Sequence, residues 1–319
     1  MFSINVTTTD PTGRLSALPL LEPTIRAAMN LLSTYLMFDG AADIHVVVDT
    51  TPTGRFAAGG DSSLVGRIDG VNLWEPSFAA ESRSGADPDA SIPDITIYID
   101  PSTAYLAGLW WDPAIATSLA SPVPHNMTDA FSVVLHELLH GLGVRGWRDG
   151  TTGALPADYQ STWDRYLAIE DGKAFFTGPS TTALLDGPAE VRMGGSQGGY
   201  HLGHGPTPAD SAQPWIAASV INGYFTLAGE RYLPGRLELA ILEDLGFELN
   251  EKRLVDLVNE SGSNAGQFVD VVNNLDDGSA GRYMVGWESS ELLKGGALAD
   301  RIEGRGGNDI LSGGGGNNR

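Results

Sequence analysis

The stretch Asp129-Ala-Phe-Ser-Val-Val-Leu-His136-Glu137-Leu-Leu-His140-Gly-Leu-Gly143 decides how the rest of the chain is read. It is apolar nearly all round, which predicts a buried helix, begun by Thr128 as N-cap and ended by Gly141 and Gly143. Residues four apart share a helix face, so His136 and His140 can grip one metal ion, with Glu137 beside them to handle a proton. Phe131, Val133, Val134, Leu135, Leu138, Leu139 and Leu142 surround these polar groups. Buried polar groups without partners are costly, and a zinc ion would supply the partner.

A catalytic zinc takes three protein ligands and leaves a fourth position for water. The chain has no cysteine, so the ligands must be His, Asp or Glu. Its six histidines are His45, His125, His136, His140, His201 and His204. His45 reads as a satisfied strand residue and His125 as an exposed loop residue. The remaining two share the loop Gly198-Gly-Tyr-His201-Leu-Gly-His204. His201 is favoured as third ligand, because Gly198 and Gly199 let the backbone come close to a metal. His204 is a near equal, and Asp210 a weaker alternative. Three neutral imidazoles leave the ion its double charge, which lowers the pKa of a bound water. Glu137 would take that proton and hand it to a leaving amine, chemistry suited to hydrolysing a peptide bond.

Outward from this motif, Ile25, Ala28, Met29, Leu32 and Leu36 form one helical stripe, predicting a helix over 23–37. Asp43–Asp49 and Asp94–Asp100 alternate as strands. Residues 51–93 are rich in Gly, Pro, Ser and Asp, with strands expected only around Arg55–Ala58 and Val65–Ile68. A short helix is expected over Ser161–Ile169. A second amphipathic helix is expected over Arg236–Leu245, with Gly246 as its C-cap. The main domain is placed at 1–249, a connecting region without an assigned role at 250–292, and a repeat segment at 293–319.

That last segment has a nine-residue period. Gly295-Gly-Ala-Leu-Ala-Asp300-Arg-Ile-Glu is followed by Gly304-Arg-Gly-Gly-Asn-Asp309-Ile-Leu-Ser and by Gly313-Gly-Gly-Gly-Asn-Asn318-Arg, an incomplete copy. The period matches the calcium-binding nonapeptide of parallel β-rolls. Asp300 and Asp309 would face calcium, while Ile302 and Leu311 would fill the roll.

Forty acidic against 19 basic residues give a net charge of −21. That argues against nucleic acid or an anionic membrane surface as partner. No apolar run is long enough to predict a transmembrane helix. The N-terminus lacks the basic and apolar regions of a Sec signal peptide.

His136-Glu-Leu-Leu-His140-Gly-Leu-Gly143 resembles the zinc helix of the metzincin metalloproteases, His-Glu-x-x-His-x-x-Gly-x-x-His. Gly143 matches the pattern's glycine, but Gly146 stands where the third histidine would be. A long insertion before that histidine, here 147–200 followed by His201, resembles the leishmanolysin-like metzincins. The order of helix, strand, irregular stretch and edge-like strand before the motif resembles the metzincin upper subdomain, and Leu237–Gly246 its closing helix. The tail resembles the RTX repeats of serralysin-type secreted proteases. Metzincins also carry a methionine in a turn beneath the zinc. Here Ala218-Ser-Val-Ile-Asn-Gly223 occupies that place, with Val220 or Ile221 as apolar floor. Tyr224 would contact the zinc or the oxyanion, or else pack in the core.

The resemblance implies an α+β fold: a twisted mixed sheet with an active-site helix and a C-terminal helix, followed by the start of a parallel β-roll. It further implies a secreted zinc endopeptidase that also binds calcium, acts on proteins or peptides and leaves a bacterium by type I secretion. Two other functions fit the residues: a non-catalytic calcium-binding RTX adhesin whose metal site is structural, and a zinc hydrolase of a non-peptide bond.

Overall fold

The computed structural model describes residues 2–49, 56–100, 106–194, 198–203 and 219–250, apart from 118, 120–122, 186, 223–227 and 230, together with isolated strands from 270 onward. A four-stranded sheet lies at the centre. It contains β1 (Ser3–Thr9), β2 (Ala41–Val48), β3 (Phe56–Gly60) and β6 (Ile95–Ile99), in the order β1-β2-β6-β3. β1, β2 and β6 run parallel, and β3 is antiparallel to β6. The alternation read from sequence sets the faces: Ile44, Val46 and Val48, with Ile95, Ile97 and Ile99, are buried. Asp94–Asp100 was expected to be edge-like. It is interior, because β3 pairs along its far side over Phe56–Gly60.

Two helices dominate the packing against this sheet. Helix α1 (Leu21–Tyr35) buries Ile25, Ala28, Met29 and Leu32, the predicted stripe. Helix α3 (Ala130–Gly141) carries the His-Glu-x-x-His motif. Between them, β4 (Ser62–Ile68), β5 (Val71–Pro76) and α2 (Ser77–Ser84) fill a region expected to be mostly irregular. Asp69 and Gly70 both take positive φ, 51° and 83°, which makes the two-residue turn joining β4 to β5. Two short strands, β7 (Leu109–Trp110) and β8 (Thr128–Asp129), pair in parallel just ahead of α3.

The expected insertion is folded and shares the main core. Strand β9 (Tyr159–Ser161) joins β5. The helix predicted over Ser161–Ile169 is only α4 (Thr162–Arg165). From there the chain becomes β10 (Leu167–Glu170), which turns at Asp171-Gly172 into β11 (Lys173–Phe176). Helix α5 (Pro179–Leu185) and strand β12 (Ala189–Val191) follow, and β12 pairs with β11. Trp163, Phe176, Val191 and Leu202 are fully buried in the same core as α1 and α3. Helix α6 (Arg236–Asp244) closes the unit, ending at Gly246 with φ 107°.

In the tail, β13 (Asp270–Asn273), β14 (Arg282–Val285), β15 (Leu292–Lys294), β16 (Arg301–Glu303) and β17 (Ile310–Ser312) are described. β14 pairs in parallel with β16, and β15 with β17, matching Met284 to Ile302 and Leu293 to Leu311. Ile302 is partly buried, but Leu311 is 50% exposed, against the expectation that it fills an interior. No described strand lies beyond β17 to cover it. Among the described residues, no helix is long and apolar enough to cross a membrane.

Candidate metal centre

Helix α3 is fixed at both ends. Asp129, not Thr128, is its N-cap, accepting from the Ser132 N–H at 3.1 Å and the Ser132 hydroxyl at 2.8 Å. Asp129 is itself held by Arg231, whose Nη2 and Nε lie 3.0 and 3.1 Å from its two oxygens. At the other end, a Cβ on Gly141 would stand 2.5 Å from Ile95 Cγ2, so only glycine lets the helix reach the sheet here. Gly143 then turns the chain away with φ 99°.

His136 and His140 project from one face, as their spacing requires. His201 meets them, with its Nε2 3.1 Å from that of each, and the His136–His140 Nε2 distance is also 3.1 Å. His140 and His201 are buried, and His136 partly so. His201 arrives on a hairpin that extends β12. Its carbonyl accepts the Arg192 N–H at 2.8 Å, and the Gly203 N–H donates to the Glu190 carbonyl at 2.9 Å. Trp163, fully buried, anchors the approach by donating Nε1–H to the Gly199 carbonyl at 2.7 Å.

The ring tautomers follow from what each Nδ1 faces. His136 Nδ1 lies 2.6 Å from the Val220 carbonyl and His140 Nδ1 lies 2.8 Å from the Val144 carbonyl. A carbonyl oxygen only accepts, so both Nδ1 atoms carry the hydrogen and both Nε2 atoms present lone pairs. Burial holds the His136 pKa below its ordinary value. At His140, burial and the neighbouring His136 and His201 push it well below. Burial thus favours neutral rings, whose two lone pairs face each other across 3.1 Å with His201 Nε2 at the same distance from both. That arrangement calls for a cation.

The donor set and spacing fit zinc. The centre of a triangle with these sides lies roughly 1.8 Å from each corner, close to the ~2.0–2.1 Å of a zinc–imidazole bond. The second hydrogen bonds from Nδ1 to backbone carbonyls are those that orient metal-binding histidines. Among the described residues, these three form the one group of three or more His, Asp or Glu side chains with metal-binding spacing.

Glu137 is buried beside the cluster, against β3. Burial pushes its carboxyl up to about 8, offset in part by a hydrogen bond from the Ala58 backbone. A dication held by the histidines would draw that value back down.

His45, read as a satisfied strand residue, bonds Thr7 and Thr9 of β1 across the sheet at 2.8 and 3.1 Å. His125 is exposed, as expected. Val220 and Ile221 are buried at the cluster, with Val220 supplying a carbonyl. His204, Asp210, Tyr224, Asp300 and Asp309 lie outside the described residues. Sequence reading missed Asp129, Trp163, Arg231 and Glu238. Asp129-x-x-Ser132 is a readable N-cap pattern, and Glu238 sits three residues after Gly235 at the start of α6. Nothing local marks Arg231 or Trp163.

Residues 288–319 match the RTX calcium-binding nonapeptide repeat (4 copies). The match begins before the 293 boundary read from the clear copies, so the chain carries more repeat than its best-formed units display. No curated protein and no solved structure matches the chain.

Proposed function

We propose that this chain is a secreted, metzincin-like zinc endopeptidase with a calcium-binding RTX tail. The observation that carries the proposal is the convergence of three histidine Nε2 atoms at 3.1 Å spacing, with a buried glutamate on the same helix. His136, His140 and His201 would hold the zinc. Bound there, zinc supplies a Lewis acid and a water of lowered pKa.

The chain's own residues supply the rest. The carbonyls of Val220 and Val144 fix the tautomer and turn of two imidazoles, while burial favours their neutral form. Glu137, buried next to His136 on the same helix, would take a proton from that water and hand it to the leaving amine. The glutamate lies against β3, an edge strand that pairs only with β6 among the described residues. An extended peptide can add to such an edge through backbone hydrogen bonds, by replacing the Glu137 and Arg145 side chains that meet the Ala58 N–H and carbonyl. This favours a peptide substrate over other hydrolysable bonds. The parallel return of β14 to β16 and of β15 to β17 supports a β-roll, and RTX repeats accompany type I export. In this reading Asp300 and Asp309 hold calcium.

Glu137→Gln tests the mechanism. With zinc and calcium present, the wild-type chain should cleave casein, and the variant should lose about 10²- to 10⁴-fold in rate while retaining its metal. A variant that cleaves at the wild-type rate would refute the role of Glu137. A wild-type chain inert on casein and on a broad peptide library would refute the endopeptidase.

A further inference from the structure

The turn beneath the histidines is held by a residue outside the motif. Ser219, Val220 and Ile221 are 1%, 2% and 0% exposed, and residues 219–222 contain neither Gly nor Pro to set the bend. Side chains hold it instead. Asn222 donates its backbone N–H at 3.2 Å and its Nδ2 at 2.6 Å to the Ser219 carbonyl, and the Ile221 N–H donates to Ser219 Oγ at 3.1 Å. The two carbonyls in the middle of this turn leave it. That of Val220 accepts from His136 Nδ1, and that of Ile221 accepts the Leu202 N–H at 3.1 Å, next to His201. One four-residue turn therefore touches the first ligand and the backbone that delivers the third.

Glu238 keys this turn. It is 2% exposed, and its carboxylate takes donors from two elements. One oxygen accepts from the Ser219 hydroxyl and from the Val220 N–H at 3.0 Å. The other accepts the Gly235 N–H at 2.8 Å, at the first turn of α6. With the Ser219 hydroxyl and two backbone N–H groups as its donors, and no cation beside it among the described residues, Glu238 is matched to this turn, which is what a fixed strut between helix and turn needs.

Building on the zinc-site reading, we propose that Glu238 is a positioning residue for the metal centre, setting the His136 ring and the register of the His201 hairpin through the 219–222 turn. Glutamine at 238 has nearly the same shape, but its amide nitrogen is a donor. It must face either Gly235 N–H or the Ser219–Val220 pair, so one contact becomes donor against donor. The turn then shifts, and both carbonyls shift with it.

The test uses the full chain and cobalt(II), measuring affinity by chelator competition and geometry by the visible absorption bands, well below the melting temperature. Glu238→Gln should weaken cobalt binding by about 10- to 100-fold, the usual scale for an outer partner of a metal ligand, and alter the bands. Ser219→Ala, which removes one donor and spares the carboxylate, should weaken binding less and in the same sense. It also carries the test if Glu238→Gln does not fold. Leu239→Ala, which opens the core side of α6 but leaves the turn's hydrogen bonds intact, should lower stability with cobalt affinity and spectrum unchanged. Equal loss of affinity in Leu239→Ala and Glu238→Gln would overturn the proposal, as would wild-type affinity and bands in both Glu238→Gln and Ser219→Ala. A wild-type chain that binds no cobalt would fell the zinc reading, and this inference with it.

Discussion

Arg231→Met should be among the most damaging substitutions outside the metal ligands. The guanidinium is buried between Asp112 and Asp129, with Nη2 3.0 Å from a carboxylate oxygen of each. Its Nη1 also donates to the Leu119 carbonyl at 2.9 Å, and its plane lies over Trp110 and Phe131. Methionine keeps the apolar stem but takes from two carboxylates, 3% and 0% exposed, the one cation they have among the described residues. Breaking a buried pair from one side costs about 3–5 kcal/mol, because the remaining charge is buried and uncompensated. Asp129 is also the N-cap of α3, so the cost falls on the helix that carries His136 and His140. For a unit of this size each kcal/mol moves the melting temperature by roughly 2–4 °C, so the fall should be on the order of 10 °C. The assay is urea unfolding with EDTA present, so that metal binding does not mask the loss. In an Asp112→Asn background the same substitution should cost less, since one of the stranded charges is gone. A cost below about 1 kcal/mol, or one unchanged by Asp112→Asn, would refute this account of the ion triad.

Asp94 is pushed up to about 7 by burial, with negative neighbours Glu81, Asp87 and Asp43 adding to the shift and the Asp43 N–H opposing it. Its folded value exceeds its ordinary 3.8, so the stability it contributes is complete below about pH 4 and is lost as pH rises through about 7. Asp94→Asn, which cannot ionise, should therefore raise the melting temperature at pH 8 and change it little at pH 4; an equal change at both would contradict the shift. Calcium titration should increase the β signal in circular dichroism, with Asp300→Asn plus Asp309→Asn reducing that change. An unaltered response in the double variant would place calcium elsewhere.

The helix of the motif and its two histidines were legible because their information is local: apolar all round, ligands four apart. His201 was legible for a different reason. Few histidines exist, and only one other shares its glycine-rich loop. The sheet was half legible. β2 and β6 alternate cleanly, but β1 reads as a polar N-terminus whose Thr7 and Thr9 gain meaning only opposite His45. The hairpins at Asp69-Gly70 and Asp171-Gly172 were overlooked although Asp-Gly is a strong two-residue turn signal. The helix expected over Ser161–Ile169 ran into the second of these, and β pairing prevailed after one helical turn. Asp94–Asp100 looked like an edge because its partner β3 is built from small residues, Ala57-Ala-Gly-Gly60, with little strand signal of their own. The repeats begin earlier than their glycines suggest because Leu293, paired with Leu311, keeps the nine-residue phase after the turn residues have drifted. Arg231 could not be read at all, and Glu238 only as an acid in the first turn of α6, since each acts on residues far away in the chain.

The claim on which the rest depends is that His136, His140 and His201 hold one zinc ion. Metal analysis combined with zinc-edge X-ray absorption on the full chain tests it directly, with the repeats loaded with calcium so that they do not compete. One zinc per chain, with imidazole-type scattering and loss of the metal in His201→Ala, is the predicted result. A chain purified and supplied with zinc that retains none, or that keeps it undiminished in His201→Ala, would contradict the account.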